Sequence, residues 1–230
     1  MTDNKTTRFS LSGSHLKYIA CVSMFLDHFA KAFSLPDPYM LLLSGIAGRL
    51  AFPLYCFLLT EGFFHTGSRA RYIRNMALLA IFSEIPFDLV HAGTWFSPQH
   101  QNTCFTLLAG LLLFLILEQL QAEKNVILPY CMVIIFAIGA QLLHFDYGAP
   151  GMVLLATLYL LRFTPYTAWA SLVGIFFLNL DGFGDACAFL AYPLIRCYNG
   201  TRGRQFKWGF YLFYPLHLLV LAWLVHCVKG

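Results

Sequence analysis

The sequence predicts an all-α integral membrane protein, built as a polytopic bundle of about nine transmembrane helices. The first observation is composition: the 230 residues are 59% hydrophobic and only 11% charged, which is more apolar surface than one soluble core of this size can bury. The second is that the apolar residues form continuous runs without the alternation of period two that spanning strands require. The third is that proline, glycine and polar clusters divide these runs into pieces of about spanning length.

A spanning helix needs ~20 mostly apolar residues, and nine segments meet or approach this length. In chain order they cover residues 16–34, 39–65, 72–91, 103–121, 126–144, 148–162, 166–180, 183–198 and 206–228. The first run has no small-residue cleavage site, so we expect it to be a retained helix rather than a signal peptide. Residues 1–15 are then a polar cytoplasmic tail, and residues 16–230 form a single transmembrane domain.

The basic residues predict the orientation of the bundle. With nine spans, alternate connections place twelve of the fifteen lysines and arginines on the side of the N-terminus, and only Lys229 on the other side. Because basic residues concentrate on the cytoplasmic side of a membrane, we expect a cytoplasmic N-terminus and an external C-terminus. The four tryptophans lie near predicted span ends, where interfacial anchors belong.

Several ionisable residues lie inside the predicted spans rather than at their ends. They are Asp27, His28, Lys31, Arg49, Glu84, Asp88 and His217. Asp27, His28, Arg49 and His217 each lie about ten residues from a span end, or ~15 Å along a helix, so we expect them at a similar depth near the middle of the membrane. Each Asp, Lys or Arg at a span centre opposes insertion by ~2.5 to 3.5 kcal/mol, so such residues normally face the bundle interior and have partners there. They either form ion pairs that hold helices together or build a functional site.

His28 is the strongest candidate for catalysis, because imidazole titrates near neutrality and transfers protons there. Its neighbour Asp27 points about 100° away on a helix and is therefore not expected to orient the ring. Glu84 or Asp88, which share one face of the third span, are expected to do so from another helix.

Two loops predicted to be cytoplasmic carry six basic residues: Arg69, Arg71, Arg74, Arg202, Arg204 and Lys207. They anchor the topology and contact anionic lipid, or they bind a polyanion such as a nucleotide diphosphate. No Walker or Rossmann motif is present, and neither ATP nor NAD chemistry is indicated. The seven cysteines are scattered without ligand spacing, so we expect no metal site. Nucleic acid is not an expected partner.

Five sequence blocks resemble the TraX protein family, in this order along most of the chain. They are "LDHFAKAF", "GRLAFPLYCFLLTEGFFHTGSRARYIR", "SEIPFDL", "QNTCFTLLAGL" and "YNGTRGRQFKWGFYLFYPLHLL". The resemblance implies a multi-pass protein of the bacterial inner membrane, associated with N-terminal acetylation of conjugative pilin. It also implies kinship with polytopic acyltransferases that use acyl-CoA, including heparan-glucosaminide acetyltransferase and the acyltransferase-3 proteins.

The resemblance also implies roles for particular residues. His28 corresponds to the polar residue of the acyl-transfer centre, Arg49 to the second-span block, and His217 to the histidine of the terminal "PLH" block. Asp27, Glu84 and Asp88 complete the expected catalytic cluster.

Together these features predict transfer of an acetyl group from cytoplasmic acetyl-CoA. The basic loops would bind the CoA thioester at the inner mouth of the site, and its pantetheine arm would reach toward mid-membrane. His28 would deprotonate an amine or hydroxyl, or become acylated itself. Arg49, or Gln101 and Asn102, would stabilise the oxyanion, and Lys31 with these two would contact a protein, peptide or glycan acceptor that enters from outside.

Two other classes use the same residues. A proton-coupled transporter also carries buried ionisable groups, although such transporters often show internal repeats and none is evident here. A non-catalytic assembly scaffold would use polar residues only to hold helices together, and would not bind CoA.

Overall fold

The computed structural model describes residues 10–164, 166–178, 183–204 and 206–229. Over these residues the chain is helical throughout, and the only β pairings are two isolated bridges, Leu11 with Tyr198 and Gln101 with Phe145. The predicted all-α class is therefore confirmed for this part of the chain.

Nine α-helices occur among the described residues. They are α1 Gly13–Ala32, α2 Ala51–His65, α3 Arg69–His91, α4 Thr103–Ala122, α5 Leu128–Leu142, α6 Gly148–Leu160, α7 Thr167–Leu178, α8 Ala191–Arg196 and α9 Lys207–Lys229. Polar side chains cap the N-termini of three of these helices. Ser12 and His15 form a reciprocal capping box before α1, Ser68 caps α3, and the Asn102 side chain accepts a 2.9 Å bond from the Cys104 N–H at α4.

Two of the predicted spans are not continuous α-helices. In the second, a π-helical segment Leu41–Ala47 and a 3-10 turn Gly48–Leu50 precede α2. Gly48 lies so close to α1 that a Cβ there would be 2.6 Å from the Cβ of Asp27, an approach that only glycine permits. In the eighth, a 3-10 segment Phe183–Leu190 precedes the six-residue helix α8.

Three helical segments in the described residues are long and apolar enough to cross a membrane: Leu41–His65, Thr103–Ala122 and Trp208–Val228. Helices α1 and α3 have 20 and 23 residues, but polar side chains such as Asp27 and Asp88 lower their mean hydropathy. Helices α5, α6 and α7 have 12 to 15 residues, or ~18 to 23 Å at 1.5 Å per residue, against a hydrocarbon core of ~30 Å.

One end of the bundle, which we call the basic end, gathers the starts of α1, α3 and α9 with the ends of α2, α4 and α6. Ion pairs join these elements: Arg69 with Glu118 and Arg162 with Glu61. The backbone before α1 is fastened there as well. The Gly13 N–H donates to the Thr201 carbonyl at 2.8 Å, and the Asn199 N–H donates to the Leu11 carbonyl at 2.9 Å. Residues 11–14 are thus packed against the loop before α9, and α1 begins at Gly13.

The core lies where α2, α4 and α6 meet. Phe63, Phe114 and Tyr159 form an aromatic cluster with ring centroids 4.8 to 5.9 Å apart. Gly110 of α4 packs directly on Leu155 of α6, which brings the two helices close. This core fixes the directions of the helices whose opposite ends carry the functional site.

Candidate functional site

A polar cavity of about 330 Å³ lies at the end of the bundle opposite the basic end. It lies between the second half of α1, the 3-10 turn before α2, the start of α2, the end of α3 and the segments at the starts of α4 and α6. Its ionisable and hydroxyl-bearing lining residues are Asp27, His28, Lys31, Arg49, Tyr55, His91, His100, Thr103, Asp146 and Tyr147. Of the predicted catalytic residues, three therefore line one cavity: Asp27, His28 and Arg49.

His28 is held by a second imidazole. Its Nδ1 lies 2.8 Å from Nε2 of His217, and the two rings are nearly parallel, with an interplanar angle of 16° and centroids 5.0 Å apart. Both residues are buried, with 6% and 7% of their surface exposed. His91 packs edge-on against the His28 ring at 5.5 Å. The structure thus brings together His28 and His217, which the sequence placed at similar depth on the first and last spans, and adds His91.

Asp27 faces away from His28. Its carboxylate accepts a 2.7 Å bond from Lys31 Nζ and a 2.5 Å bond from the Ser44 hydroxyl. Ser23 reinforces the same contact by donating to the carbonyls of Ala47 and Gly48 at 2.5 and 3.0 Å. Asp27 therefore fastens α1 to the π-helical segment and fixes Lys31 at the cavity wall, as the angle between adjacent helical residues predicts.

The expectation that Glu84 or Asp88 orients His28 is wrong. Glu84 accepts hydrogen bonds from the Asn102 backbone and side-chain amide, and Asp88 accepts a 2.8 Å bond from the Ser97 N–H. Both carboxylates are thus used to hold the loop between α3 and α4. The described contacts of the His28 ring are with His217, His91 and Tyr214.

Gln101 and Asn102 fasten the start of α4 to its neighbours: Gln101 to the segment between α5 and α6, and Asn102 to α3. The Gln101 backbone exchanges bonds of 2.9 and 3.0 Å with His144 and Asp146. The Asn102 side chain donates to the Ala80 carbonyl at 2.8 Å while it caps α4. Because these bonds occupy its amide, Asn102 is not placed to stabilise an oxyanion. Lys31 and Arg49 are the predicted cationic residues that do line the cavity.

The six basic residues predicted to bind the cofactor lie at the basic end. Arg69 is engaged with Glu118 and lies over the Phe63 ring at 4.5 Å, whereas the side chains of the other four that the structure describes are exposed: Arg71, Arg74, Arg202 and Arg204. The Lys207 side chain lies outside the described part. None of the five described side chains lines the His28 cavity.

The expectation that the basic loops form the inner mouth of the His28 cavity is therefore wrong. From Gly13, which is bonded to the 199–203 loop, to His28 there are fifteen residues of α1, or ~22 Å. The basic loops and His28 lie at opposite ends of α1, whereas the spacing of His28 from Lys17 in the sequence predicts a position near mid-membrane.

A second cavity, of about 320 Å³, lies at the basic end. Its walls are formed by Phe57, Glu61, Arg162, Thr167, Ile195, Arg196, Tyr198 and Gly200. Arg162 is paired with Glu61, while Arg196 is exposed. In the sequence these two arginines indicate only the orientation of the chain. The convergence of the ends of α6 and α8 is a tertiary contact that no local sequence pattern predicts.

Sequence reasoning also did not identify several residues of the His28 cavity. His100, Thr103 and Asp146 come from segments outside the predicted spans or at their edges, and the Thr103 hydroxyl donates to the Asp146 carboxylate. His91 carried the one available signal, since it lies one turn beyond Asp88 on the third span. Across the described ranges, no three His, Cys, Asp or Glu side chains are arranged to share a metal ion.

These features define a helical membrane protein with a buried histidine pair beside a polar cavity. The model of the TraX protein family matches residues 12–225, and the chain belongs to this family. It is also similar to the probable fimbrial assembly protein FimC, serogroup H1, of Dichelobacter nodosus, with 28% identity over 237 residues, 92% of this chain and 94% of the relative. No solved structure matches the chain.

Proposed function

We propose that the protein is a multi-pass acyltransferase of the bacterial inner membrane. It moves an acetyl group from cytoplasmic acetyl-CoA to an amine or hydroxyl of an acceptor that reaches the cavity from outside. The observation that carries this proposal is the His28 imidazole on the cavity wall, held by the second imidazole of His217. A pilin N-terminus is the acceptor we favour, because the relative in Dichelobacter is named for fimbrial assembly.

In this reaction His28 acts as the general base. It takes the proton from the acceptor nucleophile as that atom attacks the thioester carbonyl, and it returns the proton to the departing CoA thiolate. The tetrahedral intermediate carries a negative charge on oxygen. Arg49 and Lys31 line the same cavity and supply the positive charge that stabilises it.

The donor binds with its phosphates at the basic end, which the distribution of lysine and arginine assigns to the cytoplasm. Arg162 and Arg196 of the second cavity join the exposed loop arginines as phosphate ligands there. The pantetheine arm must then cover the ~22 Å between Gly13 and His28 along α1. Because this distance is long, donor binding is the property to test first.

The test is thermal unfolding of the purified protein in lipid nanodiscs with CoA, acetyl-CoA or ADP. A ligand bound at 100 times its Kd stabilises the native state by ~2.7 kcal/mol, whereas one that does not bind leaves it unchanged. We expect CoA and acetyl-CoA to raise the unfolding temperature more than ADP does. We expect Arg162→Met to reduce this shift, and Lys124→Met, on the α4–α5 connection, to preserve it. Absence of a shift at millimolar CoA would refute the proposal and favour the transporter or the scaffold.

A positive thermal shift is followed by a transfer assay. Radiolabelled acetyl-CoA is added to the nanodiscs together with a synthetic pilin N-terminal peptide, and the labelled peptide is counted. Wild-type protein should label the peptide and the His28→Gln protein should not. CoA binding without any transfer to amine or hydroxyl acceptors would argue against catalysis.

A further inference from the structure

We infer that His217 is a positioning residue which fixes the tautomer of His28, with the proton on Nδ1 and the lone pair on Nε2. The tautomer follows from hydrogen bonds alone, whereas its consequence for catalysis rests on the proposed acyl transfer. His217 does not line the cavity and acts only through His28.

The backbone of α9 fixes which nitrogen of His217 carries its proton. Nδ1 of His217 lies 2.7 Å from the Phe213 carbonyl oxygen, four residues earlier in the helix. A carbonyl oxygen can only accept, so Nδ1 of His217 carries the proton. In a neutral imidazole the other nitrogen, Nε2, then presents a lone pair.

That lone pair faces His28. Nε2 of His217 and Nδ1 of His28 are 2.8 Å apart, so one of them must donate, and His28 is the one with a proton to give. The proton of a neutral His28 therefore resides on Nδ1, and its Nε2 is left unprotonated. Because His28 lines the cavity and His217 does not, the ring edge turned away from His217 is the one that meets a substrate.

The opposite assignment requires a charged His217 that donates from both nitrogens. Such an imidazolium would be 93% buried beside His28, in contact with the rings of Phe25, Phe213 and Tyr214. The acidic side chain nearest to His28 in sequence, Asp27, accepts from Lys31 and Ser44 instead. A buried cation without a carboxylate partner is costly, so the neutral ring is favoured.

His217 therefore does for His28 what the carboxylate does for the histidine of a serine hydrolase triad, but as a neutral group. It holds the ring in one orientation and keeps the basic nitrogen toward the substrate. When Nε2 takes the acceptor proton, the His28 imidazolium continues to donate from Nδ1 to the neutral His217. The histidine pair therefore carries no net charge until His28 takes a proton.

The tautomer is measured directly by nitrogen NMR of protein labelled with ¹⁵N-histidine in lipid bilayers at pH 8. The His28 signals are assigned by their loss in His28→Gln. We expect a protonated Nδ1 and an unprotonated Nε2 for His28, and loss of this fixed pattern in His217→Leu. A His28 ring protonated at Nε2 in the wild type would overturn the inference, whether or not the protein transfers acyl groups.

The effect on transfer is read from two substitutions of His217. His217→Leu removes the acceptor and is expected to lower kcat about 100-fold with little change in KM, the range typical of a displaced general base. His217→Gln offers a side-chain carbonyl that accepts the Nδ1 proton and should restore most of the rate. Equal rates in the two variants would show that the His217 ring contributes only packing, and would refute its positioning role.

His65 supplies the matched control. Its Nδ1 makes the same contact with a carbonyl four residues earlier, at 2.8 Å from Glu61, but at the basic end and away from His28. His65→Leu and His65→Gln should leave kcat unchanged. If the wild type shows no transfer while the NMR pattern is as expected, the tautomer assignment stands and the proposed function fails.

Discussion

Replacement of Gly48 by alanine tests how closely α1 packs on the segment before α2. A Cβ at Gly48 would lie 2.6 Å from Cβ and 3.1 Å from Cα of Asp27, both of them atoms that cannot move without the backbone. The backbone at Gly48, with φ −66° and ψ −31°, is already suited to alanine, so the change adds no conformational strain. Steric overlap is then the only penalty.

The overlap sets the size of the effect. Adding a methyl group to a closely packed site costs about 1 to 3 kcal/mol, and replacing glycine at helical angles returns about 0.5 to 1 kcal/mol. We expect a net loss of up to ~2.5 kcal/mol. At roughly 2 to 4 °C per kcal/mol for a chain of this size, the apparent unfolding temperature should fall by up to about 10 °C.

Gly139 of α5 is the matched control, because no atom lies within 4 Å of a Cβ built there. Gly139→Ala should raise the unfolding temperature slightly, as alanine favours the helix. Both variants are unfolded in the same detergent and followed by tryptophan fluorescence. If Gly48→Ala were as stable as Gly139→Ala, the close contact between Gly48 and Asp27 would be refuted.

Three further predictions concern the site and its supports. His28→Gln should reduce acetyl transfer at least 100-fold while the thermal shift with CoA is kept, since the donor phosphates bind at the other end; loss of that shift would contradict the separation. Arg162→Met should destabilise the protein by about 3 kcal/mol in denaturant unfolding, because it leaves the Glu61 carboxylate buried without its partner, and Glu61→Gln in the same chain should recover part of the loss. Asn102→Ala should cost about 1 to 2 kcal/mol through loss of the α4 cap, measured in the same way, and an unchanged stability would argue against that cap.

Helix positions were largely predictable from the sequence, because the length of an apolar run decides whether a span forms. The bounds of α3, α4 and α9 fall within three residues of the predicted ones. The break before α2 was not predictable. The break depends on the approach of Gly48 to Asp27 of another helix. Hydropathy averaged along one segment gives no information about contacts with another helix.

The site was predictable only where depth in the membrane decides the contact. His28 and His217 were expected at similar depth, and they meet. The predicted partner of His28 was wrong because Glu84 and Asp88 both bind the loop between α3 and α4. The hydrophobicity of a loop does not predict its path. His100 and Asp146 were missed for the same reason.

The histidine pair joins residues 189 positions apart in the chain, and Leu11 and Gly13 are bonded to the 197–201 loop in the same way. During synthesis the first helix is therefore complete long before its last partner leaves the ribosome. Until then the segment before α2 is the partner available to the Asp27–Lys31 ion pair: Ser44 donates to Asp27, and Gly48 packs against it. Truncated chains that stop before α9 would lack His217, so the histidine pair forms only in the final stage of assembly.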